Sequence, residues 1–300
     1  MTPLLLALLL QDFPKDALES IKADEAFEHV KVLASDEYEG REAGTPGNDK
    51  AAKYIAELLK KWKLKPAGPG GSFFQAFDKT QNVLAWIEGS DPKLKKEYVA
   101  IGAHFDHIGL ARGGGEDRVN NGADDNASGT ATVLEIAQAF ATMKERPKRS
   151  ILFGWWSSEE KGLLGSKHFV KNPTVDLKTV VAYLNLDMVG RNAADQMDIE
   201  GTGCSPDLKS VFDKVNEAKI FSSLNYAVTQ VKADTDHHPF YEAKVPAVEF
   251  FSGYHADYHK PGDHAEKISK EKLERCGRFV ALSAWELAHA PKRPGYQRAR

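Results

Sequence analysis

Short apolar runs that alternate with helical patterns constrain the fold of this chain most strongly. Three of the runs are 98–103 (YVAIGA), 150–156 (SILFGWW) and 180–186 (VVAYLNL), and a fourth, 245–251 (VPAVEFF), follows near the C-terminus. Strands that are apolar on both faces are typical of parallel sheets covered by helices. The pattern therefore predicts an α/β fold, a single domain with a mostly parallel, twisted central sheet and helices on both faces.

The composition agrees with one large domain and argues against some classes of partner. The 300 residues are 42% hydrophobic, which is enough for a sizeable core, and we assign residues 12–300 to a single domain. The formal charge of −3 gives no electrostatic case for binding nucleic acid or an anionic membrane. The two cysteines, Cys204 and Cys276, are too few for a disulfide framework, although a single bridge between them stays open.

The N-terminal segment, residues 1–11, predicts export. It contains the apolar run PLLLALLL, which is far shorter than the ~20 residues that span a bilayer. A secretory signal is the better interpretation, although the usual positive n-region and small-residue cleavage site are both missing. We therefore expect a secreted or periplasmic protein without a membrane span. A mis-assigned start codon or a frayed apolar end is the alternative.

Histidines and carboxylates stand where the predicted strands end. The side chains in question are His104, Asp124, Asp125, Glu159, Glu160 and Asp187, and the loop after the last strand adds His255, Asp257, His259, Asp263 and His264. Each has an ordinary explanation alone, since a strand-end histidine is often a core residue and an aspartate pair often caps a helix. Asp187 is harder to explain, because a carboxylate inside YLNLDMV is costly to bury without a cation. Because the carboxyl ends of parallel strands meet at one edge of a sheet, a shared metal site explains all of them together.

Two divalent ions account for the number of these residues. A carboxylate has two oxygens and can bridge two ions about 3.5–4 Å apart. Each zinc takes about four nitrogen or oxygen ligands and keeps one position for water. One bridging aspartate, with one histidine and one further carboxylate for each ion, satisfies both. A glutamate is then left over to act as a base.

Five motifs, in this order, resemble those of metallopeptidase family twenty-eight, the two-zinc aminopeptidases of clan MH. They are GAHFDH, NGADDNASG, WSSEEKGLLGS, LNLDMVGR and YHKPGD, and the resemblance runs from about residue 25 to residue 288. It implies the zinc-exopeptidase, phosphorylase/hydrolase-like fold. It further implies that His104, Asp124 and Asp187 bind one zinc. Asp124, Glu160 and His259 would then bind the second, so that Asp124 bridges the pair.

The resemblance also implies the other roles in the site. Glu159 would be the general base, and Asp106 would form a hydrogen bond to His104 and fix its tautomer. The Asp124–Asp125 peptide bond would be cis. Thr235 stands where many members of the family have serine, and no insert separates the strand at 82 from the strand at 98.

The activity that the resemblance implies is that of an aminopeptidase acting on peptides with a free N-terminus. A hydroxide bridging two Zn²⁺ ions would attack the scissile carbonyl with Glu159 as proton shuttle, and His237 and Tyr258 are the weaker candidates for substrate contacts. Affinity order alone does not favour zinc over Co²⁺ or Mn²⁺. Three alternatives stay open: a glutaminyl cyclase-like acyltransferase, a carboxypeptidase of the same clan with a cationic pocket, and a metal-free receptor-like ectodomain.

Overall fold

A mixed nine-stranded sheet organises the chain. The structure is a computed structural model that describes residues 13–111, 113 and 116–299, so the predicted signal segment lies outside the described residues. The strands are β1 (Lys65–Pro66), β2 (Phe74–Phe77), β3 (Thr80–Ile87), β4 (Tyr98–His104), β5 (Ser150–Trp156), β6 (Val180–Leu186), β7 (Gln196–Glu200), β8 (Ser223–Asn225) and β9 (Ala247–Phe251).

In the part of the chain that the structure describes, three helices precede the first strand, four lie in connections between strands, and one follows the last strand. They are α1 (Lys15–Glu19), α2 (Ala23–Leu33), α3 (Pro46–Lys61), α4 (Gly129–Thr142), α5 (Leu164–Lys171), α6 (Pro206–Asn216), α7 (His237–Glu242) and α8 (Lys270–His289). Among the residues that the structure describes, no helix is both long enough and apolar enough to cross a bilayer.

The middle of the sheet is parallel and joins both flanks through antiparallel pairs, while the outermost pair, β7 and β8, is again parallel. The strand order is β1-β3-β5-β4-β6-β9-β7-β8, with β2 paired to β3 outside this path. β4 runs parallel to both β5 and β6, and β6 runs parallel to β9. β3 is antiparallel to β5, and β7 is antiparallel to β9. The predicted α/β fold with a largely parallel sheet is confirmed.

Two adjacent tryptophans show how the sheet is covered on both faces. Side chains of successive strand residues point to opposite faces. Trp155 donates a hydrogen bond to the Thr130 carbonyl of α4, whereas Trp156 packs against Phe169 of α5 and Phe240 of α7. The two helical layers therefore lie on opposite faces of β5, and both tryptophans belong to the core.

Glycines in register make room for the second of these tryptophans. Gly102 of β4 pairs with Gly154 of β5, and a Cβ on Gly154 would overlap the Trp156 indole. The Trp156 Nε1–H then reaches the Tyr183 hydroxyl on β6 at 2.6 Å. The single cysteine bridge that the sequence left open is absent from the described part of the chain, where Cys204 and Cys276 are both free and buried.

Candidate metal centre

The carboxylate of Asp125 lies at the centre of the polar cluster beyond the carboxyl ends of the parallel strands. Its Oδ1 is 3.3 Å from His104 Nε2, and its Oδ2 is 3.0 Å from His259 Nε2. Asp125 belongs to an irregular turn, Ala123–Ser128, that precedes α4. The backbone N–H groups of Asp124 and Asp125 both donate to Asp263 Oδ2, which anchors the turn.

Two groups of potential ligands share Asp125. The first contains His104 and Asp187, where His104 Nε2 lies 3.2 Å from Asp187 Oδ1. The second contains Glu160 and His259, where His259 Nε2 lies 3.1 Å from Glu160 Oε2. The two oxygens of Asp125 thus face different groups. Four of the expected ligands, on three strand ends and one loop, are brought together as the sequence predicted.

Asp124, the predicted bridging residue, is not brought into either group. Its Oδ1 accepts a hydrogen bond from the Gly190 backbone N–H at 2.7 Å, and its Oδ2 lies 3.2 Å from His255 Nε2. The carboxylate therefore points to the loop after β6, and the neighbouring Asp125 takes the central position. The cis peptide bond is likewise one residue later than predicted, at Asp125–Asn126.

His107 was missed as a member of the cluster. Its Nδ1 lies 2.8 Å from Glu160 Oε1 and 3.7 Å from Asp125 Oδ2. Gly122 permits this placement, since it has a left-handed backbone and a Cβ there would overlap the His107 ring. The signal was present in the sequence, because His107 closes the motif GAHFDH.

Glu159 and Asp106 are joined through the backbone. The Glu159 N–H donates to Asp106 Oδ1 at 3.1 Å, and Glu159 Oε2 lies 4.0 Å from His104 Nε2. The expected hydrogen bond from His104 to Asp106 goes to the main chain instead, because His104 Nδ1 is 3.1 Å from the Asp106 carbonyl oxygen and 3.8 Å from Oδ1. This contact leaves His104 Nε2 facing Asp125 and Asp187.

A chain of buried donors ends on Asp187. Trp156 Nε1–H donates to the Tyr183 hydroxyl, which donates to Asn185 Oδ1 at 2.7 Å. The Asn185 amide donates to Thr235 Oγ1 at 3.1 Å, and the Thr235 hydroxyl donates to Asp187 Oδ2 at 2.6 Å. One oxygen of Asp187 is thereby held by the protein, while the other faces His104.

Arg41 fixes the loops that carry the cluster. Its side chain is fully buried and donates to the Phe105 carbonyl after β4 and to the Asn121 and Gly122 carbonyls before Asp125. Burial lowers the pKa of Arg41 to about 10, although nearby carboxylates, Asp125 first among them, oppose the shift. The guanidinium stays charged at neutral pH and ties together the two segments that supply His104 and Asp125.

Burial and neighbouring charges shift the pKa values of the histidines and carboxylates in the cluster. Burial disfavours charge on His104, but the carboxylates of Asp187 and Glu159 outweigh it and raise the His104 pKa well above its usual range. Burial also opposes charge on His259, and the carboxylates of Asp125 and Glu160 raise its pKa to about 10. Burial raises the pKa of Glu159 well above its ordinary value, with His104 opposing the shift. A bound cation would therefore stabilise the ionised carboxylates of this cluster.

The donor set and its spacing fit zinc. Imidazole nitrogens and carboxylate oxygens are typical zinc ligands, and a tetrahedron with bonds of about 2.0 Å has edges of about 3.3 Å. The separations from the His104 and His259 nitrogens to the carboxylate oxygens around them, 3.0 to 3.3 Å, match such edges. The first group offers three donors, which leaves the fourth position of a catalytic zinc for water or substrate. The second group also contains His107, whose Nδ1 contacts Glu160 Oε1.

The cluster lies at the floor of a cavity of about 270 Å³. Tyr258 lines it and stacks on His259 with ring centroids 3.9 Å apart, so this predicted substrate contact faces the cavity. Met188, Phe251 and Tyr254 form an apolar part of the wall. His237, the other predicted contact, is buried beside Glu249 and is not among the lining residues.

The sequence model of peptidase family M28 matches residues 82–284. Leupeptin-inactivating enzyme 1 of Streptomyces exfoliatus is 28% identical over 274 residues, which are 88% of this chain and 56% of that protein. Aminopeptidase YwaD of Bacillus subtilis (strain 168) is 32% identical over 226 residues, which are 72% of this chain and 46% of that protein. The chain thus spans about half the length of these two curated relatives.

Solved structures show the same fold at low sequence identity. The LapA aminopeptidase of Legionella pneumophila has a TM-score of 0.77 at 23% identity, covering 92% of this chain and 74% of that chain. BSAP, a zinc aminopeptidase from Bacillus subtilis, has a TM-score of 0.73 at 20% identity, covering 92% and 96%. A glutaminyl cyclase from Bacteroides thetaiotaomicron has a TM-score of 0.69 at 22% identity, covering 88% and 98%. Since the family model matches more than half of its residues, this chain belongs to peptidase family M28.

Proposed function

We propose that this chain is a zinc-dependent aminopeptidase, which removes residues from peptides with a free N-terminus. The observation that carries the proposal is the placement of Asp125, whose two oxygens face two different groups of zinc-type ligands at the floor of one cavity. Family membership and the aminopeptidase names of relatives support it.

In this proposal Asp125 would be a ligand common to two zinc sites. His104 and Asp187 would complete one set of ligands, and Glu160 and His259 would complete the other. His107 contacts Glu160 Oε1 and so fixes the orientation of that carboxylate. Bound zinc supplies Lewis acidity, which polarises a carbonyl and makes a bound water acidic enough to react near neutral pH.

Glu159 is the proton carrier in this proposal. It is nine-tenths buried at the cavity and stands apart from the closer ligand pairs, 4.0 Å from His104. Its backbone is anchored by Asp106, which fixes the position of the carboxylate relative to His104. A carboxylate with a raised pKa is suited to take the proton of the attacking water and to pass it to the departing amine.

The cavity favours this activity over a carboxypeptidase. A carboxypeptidase needs a free cationic group for the terminal carboxylate of its substrate. Within the described part of the wall the one lysine or arginine is Lys232, and its Nζ is already bound by Glu200 at 2.9 Å. The carboxylates around it would repel a substrate carboxylate.

A panel of substrates tests the proposal. We expect the purified protein to hydrolyse leucyl-p-nitroanilide, to lose this activity with a chelator, and to regain it with Zn²⁺. The N-acetylated substrate should be resistant, because it lacks the free amine. Cyclisation of an N-terminal glutamine peptide, without hydrolysis of the leucyl substrate, would establish the acyltransferase alternative instead.

The substitution Glu159→Gln tests the proton carrier. We expect it to retain both zinc ions and to lose about 10²–10⁴-fold in kcat, which is the usual contribution of a general base. Metal content per chain and kcat are measured on the same preparation. Full turnover in a variant that binds the normal amount of zinc would refute the assigned role.

A further inference from the structure

One wall of the catalytic cavity carries more carboxylates than the metal centre uses. Glu200, Asp234 and Glu249 all line the cavity together with Lys232. Lys232 Nζ pairs with Glu200 Oε2 at 2.9 Å, which neutralises one of the three. Asp234 and Glu249 therefore have no lysine or arginine partner in the described part of this wall. Burial and the nearby carboxylates raise the pKa of Glu249 well above its ordinary value, and a bound cation would offset that shift.

The sheet itself places these groups below the metal centre. Glu249 on β9 is in register with Asn185 on β6 and with Glu200 on β7, so the three side chains lie side by side on one face. Asp187 follows Asn185 by two residues on that same face, a rise of about 6.6 Å along the strand. Like charges directly opposite each other, as at Glu200 and Glu249, destabilise a sheet.

One buried carboxylate in this wall lacks a hydrogen-bond partner among the described residues. Glu249 is 6% exposed and lines the cavity. Its Oε2 lies 4.0 Å from His237 Nδ1, which is beyond hydrogen-bond distance. Buried polar groups are normally paired. A positively charged donor in the cavity would satisfy the Glu249 carboxylate.

We infer that Glu249 and Asp234 form a subsite for a cationic N-terminal side chain, lysine or arginine, of the peptide. The inference depends on the proposed aminopeptidase function, which holds the terminal amine at the metal centre. From there a long side chain reaches down the wall, its methylene stem along Met188 and Phe251 and its charged end at Glu249. Lys232 opposes the bound cation and tempers the preference.

Pairs of substrates that differ only in charge test this subsite. Lysine and norleucine share a stem length, and arginine and citrulline share a shape, so each pair of p-nitroanilides isolates the charge. We expect the holoenzyme to have a higher kcat/KM for the charged member of each pair. In Glu249→Gln the lysine-to-norleucine ratio should fall about tenfold, while kcat/KM for norleucine changes little.

Lys232→Met should move the ratio in the opposite direction, because it removes the opposing cation and frees Glu200. A merely structural role of this wall would not produce opposite shifts from the two variants. The matched control is Glu217→Gln, which changes an exposed glutamate directly after α6. It should leave the ratio unchanged.

The outcomes separate the subsite from the activity. Wild-type hydrolysis of norleucyl but no preference for lysyl, or an unchanged ratio in Glu249→Gln, overturns the subsite and leaves the aminopeptidase. No hydrolysis of either substrate overturns both. A third metal equivalent that is lost in Glu249→Gln would assign these ligands to an ion, since their donor atoms lie within 4.8 Å of one another, and would also overturn the subsite.

Discussion

Charged side chains are buried at both ends of the central strands, but they are paired within the protein at only one of the two ends. Before the amino end of β5, Arg149 is 1% exposed, and both its Nε and its Nη1 have hydrogen-bond partners. Its Nε–H donates to Glu97 Oε2 at 2.7 Å, and its Nη1 donates to the Leu287 and Ala290 carbonyls. Arg293 pairs with the other oxygen of Glu97. Charge and hydrogen bonds are balanced at this end by the protein alone.

At the carboxyl ends of the same strands the balance is incomplete. Asp106 Oδ2, His107 Nε2 and Asp236 Oδ2 are buried and have no hydrogen-bond partner among the described residues. Asp125, Glu160 and their neighbours crowd several carboxylates together. Unsatisfied groups cost stability, and evolution retains such cost mainly at sites of function. The comparison therefore separates a structural charge cluster from one that awaits a ligand.

Exchanging Asp125 gives the largest expected effect, and the same exchange at Asp124 is its matched control. Asp125→Asn weakens both groups of ligands at once, so we expect loss of zinc and a fall in kcat/KM of at least about 10⁴-fold, the upper range for a single catalytic group. Asp124→Asn keeps the oxygen that accepts from Gly190 and should retain both zinc ions and most activity. Metal analysis and leucyl-p-nitroanilide kinetics measure both effects.

The reverse ranking of the two variants would return the bridging role to Asp124. Thermal unfolding of the metal-free proteins provides the control. Although burial opposes it, the neighbouring histidines hold the pKa of Asp125 well below its ordinary value, so we expect Asp125→Asn to lower the stability of the metal-free protein. A variant that is unfolded at the assay temperature would mean that Asp125 is a structural residue.

The substitution Arg149→Met should affect stability and not chemistry. It removes a charge-assisted hydrogen bond and leaves two backbone carbonyls without donors, which we expect to cost about 3 kcal/mol in the free energy of unfolding. The Glu97 carboxylate keeps Arg293 as a partner, which limits the damage. Urea unfolding measures the loss, and kcat per folded molecule should match that of wild type. A large fall in kcat would show that the two ends of the sheet are coupled.

The sequence predicted the central strands and their chemistry because each is a continuous apolar run that ends in a polar residue. β5 and β6 were expected at 150–156 and 180–186 and have those bounds. The α4 helix begins only at Gly129, because Asp125 and Asn126 in front of it have non-helical backbones. Apolar periodicity marks a buried element well but does not report the irregular turn in front of it.

The same irregular turn explains why the bridging residue was displaced by one. Asp124 and Asp125 are chemically identical, and only the backbone decides which of them faces the cavity. The Asn126 amide, which donates to the Leu186 carbonyl, and Asp263, which accepts from both N–H groups, are long-range contacts. Such contacts are set by the tertiary fold and leave no local signal in the sequence. Residue type was predictable here, whereas the register of the turn was not.

The donor to Asp187 allows a smaller test at the catalytic end. Thr235→Val removes the hydroxyl that holds Asp187 Oδ2, so we expect a loss of 10–100-fold in zinc affinity or activity, as is usual for residues behind a metal ligand. Thr235→Ser keeps the hydroxyl and should retain near wild-type values. Zinc titration against a competing chelator distinguishes a weaker site from simple unfolding. Equal affinities in the two variants would remove Thr235 from the site.

A third buried ionisable side chain, Glu135 on α4, lies away from the metal centre. Its substitution has the smallest expected effect on stability. Its Oε2 accepts from the Lys22 N–H at 3.1 Å, and its Oε1 is 3.6 Å from His29 Nε2. Burial raises the pKa of Glu135 to about 7 and lowers that of His29 to about 4. Despite the short separation, both groups are therefore largely neutral near pH 5.5, and this contact is not an ion pair.

The sign of the pH dependence follows from these shifts. Between the usual glutamate pKa and about 7 the folded state holds more protons on Glu135 than the unfolded state, so its free energy of unfolding falls as pH rises through this window. Glu135→Gln cannot lose a proton and keeps an oxygen for Lys22. We expect this variant to be more stable than wild type by about 1 kcal/mol at pH 8 and to lose that advantage near pH 5. Because both proteins retain His29, whose contribution is lost as pH falls from 6.5 through about 4, the difference between them isolates Glu135. Unfolding curves that stay parallel from pH 5 to pH 8 would show that this carboxyl is ionised in the fold, and that a buried acid outside the metal centre needs no ligand to balance it.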